Sequence, residues 1–216
     1  MTGPAASAVI FDMDGVLLDS GVHHRDAWRL LLGELGLAPA PEFWRCTIGR
    51  PAEDAVPLLL ERPVPPGEAI ELARRKREHY TRLAARGMLP IAGAPAFVTM
   101  LAREGVPLAV ATSAPRADAE VLLTEIGVRA AFEVVVTVED VRWGKPNPEV
   151  YLRAAEGLGV SANTCLVFED AVVGVHAARN AGMRVIGVTS TYAARELLAA
   201  GAERAIADFE GFRWPV

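Results

Sequence analysis

The amino-acid sequence predicts a doubly wound α/β protein carrying an inserted run of helices, and three observations predict it. Short apolar runs rich in β-branched residues recur near the start of the chain and again from about residue 106. Such runs, without polar alternation, are what parallel strands covered on both faces require. Each is followed by a helical pattern, and the segment from about Val22 to Gly87 contains no convincing strand.

Strands are expected at Ala8 to Phe11, Pro107 to Ala111, Val134 to Val138, Cys165 to Phe168 and Arg184 to Val188. Helices are expected at Ala94 to Glu104, Arg116 to Ile126, Pro148 to Leu158 and Val172 to Ala181. Gly127, Gly159 and Gly182 close the last three as helix stops. Alternation of this kind builds a parallel sheet through right-handed crossovers. The inserted segment reads as helices at His24 to Leu35, stopped by Gly36; Ala52 to Glu61, containing Pro57; and Pro66 to Arg86. Pro39, Pro41, Pro63 and Pro65 punctuate it. In its long helix Ile70, Ala73, Arg77, Tyr80 and Ala84 recur at helical spacing, so this face is expected to pack on the other two helices. The chain then divides into a core, residues 1–20 and 89–216, and an α-helical insert, residues 21–88.

With 51% hydrophobic residues the chain can fill an interior, which excludes a disordered class. The net charge of −5 and 6% aromatic content give no electrostatic reason to bind nucleic acid. No uncharged apolar run approaches the ~18 to 20 residues of a membrane span. Met1 to Ala8 carries no basic residue ahead of its apolar run, so a cytoplasmic protein that does not bind membranes is expected. Cys46 and Cys165, far apart and without metal-ligand spacing, are expected to be reduced thiols. In a chain of net negative charge any phosphate-bearing ligand must be held by a local site, and the expected state is a monomer or weak dimer.

The first strand opens into Asp12-Met13-Asp14-Gly15, placing two carboxylates one residue apart at a strand's carboxyl end, where open α/β sheets bind ligands. A second apolar run opens into Glu169-Asp170. If these strands are neighbours, the acids converge and need a hard divalent cation to offset their repulsion. Alone, the first pair reads equally as an acidic turn and the second as a negative helix start. Thr112-Ser113 ends another strand with hydroxyls and amides suited to phosphate oxygens, or with a simple helix cap. Lys145 precedes Pro146-Asn147-Pro148, which fixes the chain around it.

In order and spacing these four elements resemble the haloacid dehalogenase superfamily, in its branch of β-phosphoglucomutase-like phosphatases. Asp12-Met13-Asp14-Gly15-Val16 resembles the family's first motif, Thr112 its hydroxyl motif, Lys145-Pro146-Asn147-Pro148 its lysine motif and Glu169-Asp170 its distal acidic motif. The resemblance implies a Rossmann-like core of five parallel strands in the order 3-2-1-4-5 beneath a helical cap. It implies Asp12 as nucleophile and Asp14 as general acid and base. Mg²⁺ would sit on the Asp12 carboxylate, the Asp14 carbonyl and Asp170, with Glu169 in support; Thr112, Ser113 and Lys145 would hold the phosphoryl oxygens. In the cap, His24 and Lys76 fall where family mutases have a substrate histidine and lysine. Ala52 stands where those mutases carry an arginine for a distal phosphate, and Arg50 and Arg45 lie near that position without matching it. The implied activity is Mg²⁺-dependent hydrolysis of a small phosphomonoester, a sugar or polyol phosphate, through an aspartyl-phosphate; a sugar phosphate mutase is the alternative. A receiver-like signalling protein shares an Asp phosphoacceptor, Thr or Ser, Lys and Mg²⁺, but places its acidic pair ahead of the phosphoacceptor and has no such insert.

Overall fold

The structure, a computed structural model, describes residues 6–38, 43–85 and 87–215. Pro39, Pro41, Arg86 and residues 1–5, which entered the sequence reading, lie outside the described residues. Six parallel strands form one sheet in the order β3-β2-β1-β4-β5-β6. These are β1 (Ala8–Phe11), β2 (Leu108–Ala111), β3 (Val134–Val136), β4 (Cys165–Glu169), β5 (Arg184–Val188) and β6 (Arg204–Ile206). The expected five are present in the expected order. The sixth corrects the count: its Arg204-Ala205-Ile206 is only partly covered at the sheet edge and offers no apolar run to read. At the other edge β3 ends at Val136, short of the expected Val138. The Thr137 amide and hydroxyl both donate to the Asp140 carboxylate, each at 2.8 Å, and turn the chain there.

Alternate strand residues feed two apolar layers, one on each face of the sheet. Val9, Phe11, Leu108, Val110, Leu166 and Phe168 pack on one side. Ala8, Ile10, Ala109, Ala111, Cys165 and Val167 pack on the other. In the register of β1 on β4, Ala8 pairs with Cys165 and Phe11 with Phe168, and the two phenylalanine rings stack 5.2 Å apart. The residues that follow, Asp12 and Glu169, therefore emerge side by side at the carboxyl end of the sheet. Helices α4 (Ala94–Arg103), α5 (Arg116–Glu125), α6 (Glu149–Gly157), α7 (Val172–Asn180) and α8 (Ala194–Ala199) connect the later strands.

The insert holds α1 (Gly21–Glu34), α2 (Ala52–Leu59) and α3 (Pro66–Ala84). Trp28, Leu31, Ala55, Val56, Ala69 and Leu72 give it an apolar cluster of its own. This corrects the face expected for α3: its buried residues are Ala69, Leu72, Ala73, Lys76, His79 and Tyr80, while Ile70 is 59% exposed. Of the stripe read from the sequence, Ala73, Tyr80 and Ala84 do pack, while Ile70 and Arg77 fall to one side and line a cavity over the end of the sheet. The insert is joined by two segments that run together, with the Asp19 amide donating to the Leu89 carbonyl at 2.9 Å and Leu18 bridging to Pro90. No helix among the described residues is long and apolar enough to cross a membrane.

Candidate active site

At the end of β1 the Asp12 amide donates to the Phe168 carbonyl at 3.0 Å, so the chain still follows β4 as it leaves the sheet. It then turns tightly, with the Leu17 and Leu18 amides donating to the Met13 carbonyl at 2.9 and 3.1 Å. Gly15 in this turn has φ +76°, and a Cβ there would lie 2.0 Å from Asp170 Oδ2. Only glycine meets both the conformation and the space. Ser190 Oγ donates to the Gly15 carbonyl at 2.5 Å and stands 3.5 Å from Asp170 Oδ2, locking the turn to the second acidic strand end.

Lys145 lies at the centre. Its Nζ, fully buried, donates to Asp12 Oδ1 at 2.8 Å, Glu169 Oε1 at 2.6 Å and the Ala111 carbonyl at 3.3 Å. Glu169 also accepts from the Tyr151 hydroxyl at 2.7 Å and from the Ala171 amide at 2.9 Å, so its two oxygens are committed to holding the frame. Carboxylate oxygens of Asp12, Glu169 and Asp170 come within 4.8 Å of one another, all buried. One ammonium faces three carboxylates. Burial pushes the Asp12 carboxyl up to about 7 although Lys145 opposes it, and burial with the neighbouring acids holds Asp170 well above the carboxylate range. The two carboxylate partners raise the Lys145 ammonium further, outweighing its burial. A hard divalent cation with oxygen ligands fits this donor set, because it supplies the positive charge the cluster lacks. The Asp14 side chain is outside the group.

Thr112 is fixed by its amide, which donates to the Val136 carbonyl at 2.9 Å, and its hydroxyl accepts from the Ala114 amide at 3.0 Å. Ser113 Oγ reaches across to the insert and donates to the Gly49 carbonyl at 3.2 Å. Together with Asp12, Asp14 and Asp170 these residues line a cavity of about 420 Å³.

The insert closes the cavity from the other side. His24 Nε2 lies 3.1 Å from Asp14 Oδ1, and its Nδ1 lies 2.7 Å from Lys76 Nζ. An ammonium can only donate, so Nδ1 accepts and Nε2 carries the hydrogen toward Asp14. This neutral ring agrees with a His24 pKa lowered by burial and then by Lys76. Burial pushes Asp14 up, but His24, the Ser20 hydroxyl and the Lys76 ammonium together override it and bring the carboxyl to about 2. Burial lowers Lys76 to about 8, and its Nζ lies over the Trp28 and Tyr80 rings at 5.4 and 5.1 Å.

The family described as haloacid dehalogenase-like hydrolase matches residues 9–188. The chain belongs to that family. Validoxylamine A 7'-phosphate phosphatase of Streptomyces hygroscopicus subsp. limoneus is 34% identical, over 95% of this chain and 95% of its own. Fructose-1-phosphate phosphatase of Escherichia coli (strain K12) is 35% identical over 84% of this chain and 96% of its own. The crystal structure of a hydrolase from Pseudomonas syringae, 27% identical, matches with a TM-score of 0.87 over 95% of this chain and 96% of that one.

In this haloacid dehalogenase-like hydrolase Asp12, Asp14, Thr112, Ser113, Lys145, Glu169 and Asp170 come to one end of the sheet, as the sequence motifs anticipate. His24, Arg50, Ala52 and Lys76 line the same cavity from the insert. Arg45 does not line it: its Nη1 donates to Glu196 at 2.9 Å, and its carbonyl accepts from the Tyr192 hydroxyl at 3.2 Å. Tyr151, Gly174 and Ser190 were missed. A Cβ on Gly174 would stand 1.7 Å from Glu169 Oε1, so this helical glycine makes room for the acid. Nothing in the sequence distinguishes it from an ordinary weak point in a helix.

Proposed function

We propose that the chain is a Mg²⁺-dependent phosphatase acting on a small sugar or polyol phosphate, with residues 1–20 and 89–216 as its catalytic core and 21–88 as a cap. The observation that carries this reading is the buried Asp12–Lys145–Glu169–Asp170 cluster opening into a cavity that the insert covers. Asp12, Asp170 and the Asp14 backbone carbonyl would hold the ion, with Glu169 bracing Lys145 behind them. When bound, Mg²⁺ would neutralise charge on the phosphoryl oxygens.

Asp12 attacks phosphorus and the ester P–O bond breaks; Asp14, held at about 2 while it contacts His24, must leave that contact and take up a proton from solvent before it passes one to the leaving oxygen. Water then attacks the phosphorus of the aspartyl-phosphate, Asp14 accepts the water proton, and inorganic phosphate leaves with the Asp12 carboxylate restored. The Thr112 hydroxyl and the Ser113 amide hold the phosphoryl oxygens in line, joined by Lys145 once it gives up one of its three acceptors, and positioning with charge neutralisation supplies most of phosphoryl-transfer catalysis. Coverage by the insert keeps bulk water from the reacting centre.

Hydrolysis is favoured over exchange of phosphate between two ends of a sugar because Ala52 presents only a methyl group to the cavity. Gripping a second phosphate there needs a guanidinium fork. The test is a panel of phosphate esters assayed with Mg²⁺ and with a chelator, including glucose 1-phosphate supplied with catalytic bisphosphate. Release of phosphate from sugar or polyol esters only with Mg²⁺ is the expected result. Isomerisation outpacing phosphate release overturns it and assigns the grip to Arg50, which also lines the cavity.

A further inference from the structure

One ion pair on the cavity wall takes no part in the steps above. Arg77, on α3 of the insert, donates from Nε to Asp118 Oδ2 at 2.9 Å and from Nη2 to Asp118 Oδ1 at 2.8 Å. Asp118 lies in the first turn of α5, just past the Thr112-Ser113 segment. The fork uses two of the five guanidinium N–H groups and one lone pair on each carboxylate oxygen. What remains on both partners is not taken by any other hydrogen bond among the described residues. Nor is the pair sealed: the Arg77 side chain is 43% exposed and that of Asp118 21%. The same cavity is lined by the apolar Ile70, Ala73, Leu122 and Val138 and by the charged Arg74 and Lys76, the latter within electrostatic reach of Asp118.

Fixed polar groups in a partly apolar cavity set the orientation of a ligand. A carboxylate locked by a guanidinium fork offers neighbouring acceptors and donors without having to be ordered on binding, which is the pattern that adjacent hydroxyl groups complement. We propose that Asp118, positioned by Arg77, is a specificity determinant that accepts hydrogen bonds from hydroxyls of the leaving group and selects polyhydroxylated esters over plain alkyl phosphates. This rests on the phosphatase reading for its substrate class, not for its geometry. A tether that merely joins insert to core would influence every substrate alike.

The experiment compares sorbitol 6-phosphate with ethyl phosphate, with Mg²⁺, for wild type, Asp118→Asn and Asp118→Leu, with thermal melting to verify folding. Removing a charge-assisted contact should lower the ratio of the two kcat/KM values by about tenfold or more. A ratio that stays within about threefold of wild type for both folded variants overturns the proposal and leaves the pair a tether. Calorimetry of the two esters on an Asp12→Asn background supplies an arm independent of turnover. A preference for sorbitol 6-phosphate there that disappears with Asp118→Leu supports the proposal even if wild type hydrolyses neither ester, which would sink only the phosphatase reading. Equal binding of both esters with Asp118 intact overturns the proposal alone.

Discussion

The two walls of the cavity are built to different standards. On the core side, Lys145 has three acceptors, Glu169 accepts from three donors, and the turn after β1 is tied to Asp170 through Gly15 and Ser190. On the insert side, His23 Nδ1 and Tyr80 Oη are buried polar side-chain atoms without a partner among the described residues. Lys76 there faces two aromatic rings and a neutral histidine rather than a carboxylate pair. A saturated network holds one geometry, because any shift strands a buried polar atom. The under-satisfied wall gives up less by moving or repacking, which suits the side that must admit and release substrate.

The largest effect should come from the saturated side. Asp12→Asn keeps the shape and a hydrogen bond to Lys145 but loses the attacking carboxylate. Steady-state assays should show turnover falling by several powers of ten, with the melting temperature nearly kept or raised as one buried charge is removed. Retention of even a tenth of wild-type turnover, with contamination excluded, would contradict the nucleophile assignment.

Gly174→Ala tests how little room the core network leaves. In an open helix this change stabilises by about 1 kcal/mol. Here the new methyl meets the Glu169 carboxylate, so urea unfolding should show a loss of about 3 kcal/mol, with reduced activity as Glu169 is displaced from Lys145. A stabilised variant would mean that the core wall yields as readily as the insert.

Lys76→Met probes the opposite wall and has the opposite sign. The lysine titrates near 10.5 in the unfolded chain and about 8 when folded. Between those values the unfolded chain binds more protons, so wild-type stability should rise with pH across that window. The variant should be more stable at neutral pH by about 1 to 3 kcal/mol, less whatever the Trp28 and Tyr80 rings give back, and should lack the rise. Denaturation curves from pH 7 to 10.5 check both; a destabilised variant would show that Lys76 is as well compensated as Lys145.

Most of the core wall was legible because strand ends announce themselves. An apolar run that stops at an acid or a hydroxyl locates the residue to within a position, and parallel order then brings those ends together. Lys145 was legible only through its place in the order of motifs, since a lone lysine before prolines reads as solvated surface. Tyr151 was not, since an aromatic residue at helical spacing looks the same whether its hydroxyl meets water or Glu169. The insert was less readable: Ala73, Tyr80 and Ala84 of the α3 stripe do pack, but Lys76 and His79 are buried where the eye seeks apolar residues, and Ile70 faces the cavity. The Arg77–Asp118 pair joins residues from two helices of different regions, and no local pattern encodes such a meeting. Edge strand β6, three residues long with an arginine, falls below what periodicity can resolve.

The bridge between Leu18 and Pro90 and the bond from the Asp19 amide to the Leu89 carbonyl place the entry and exit of the insert side by side. Closing a gap that small with a short turn costs little chain entropy, so the sheet does not depend on the length of what is strung between those points. The contacts that such an exchange would have to replace include Ala27, Tyr80, Leu83, Ala84 and Met88 against the core's apolar layer, and the His24–Asp14, Arg45–Glu196, Gly49–Ser113 and Arg77–Asp118 pairs. The junction thus behaves as a socket, into which recombination can plug helical modules of other shapes without disturbing the catalytic bed. Transplanting residues 21–88 between relatives that share the Leu18–Pro90 geometry is the corresponding route for engineering selectivity, with substrate preference expected to travel with the module and phosphoryl chemistry to remain behind.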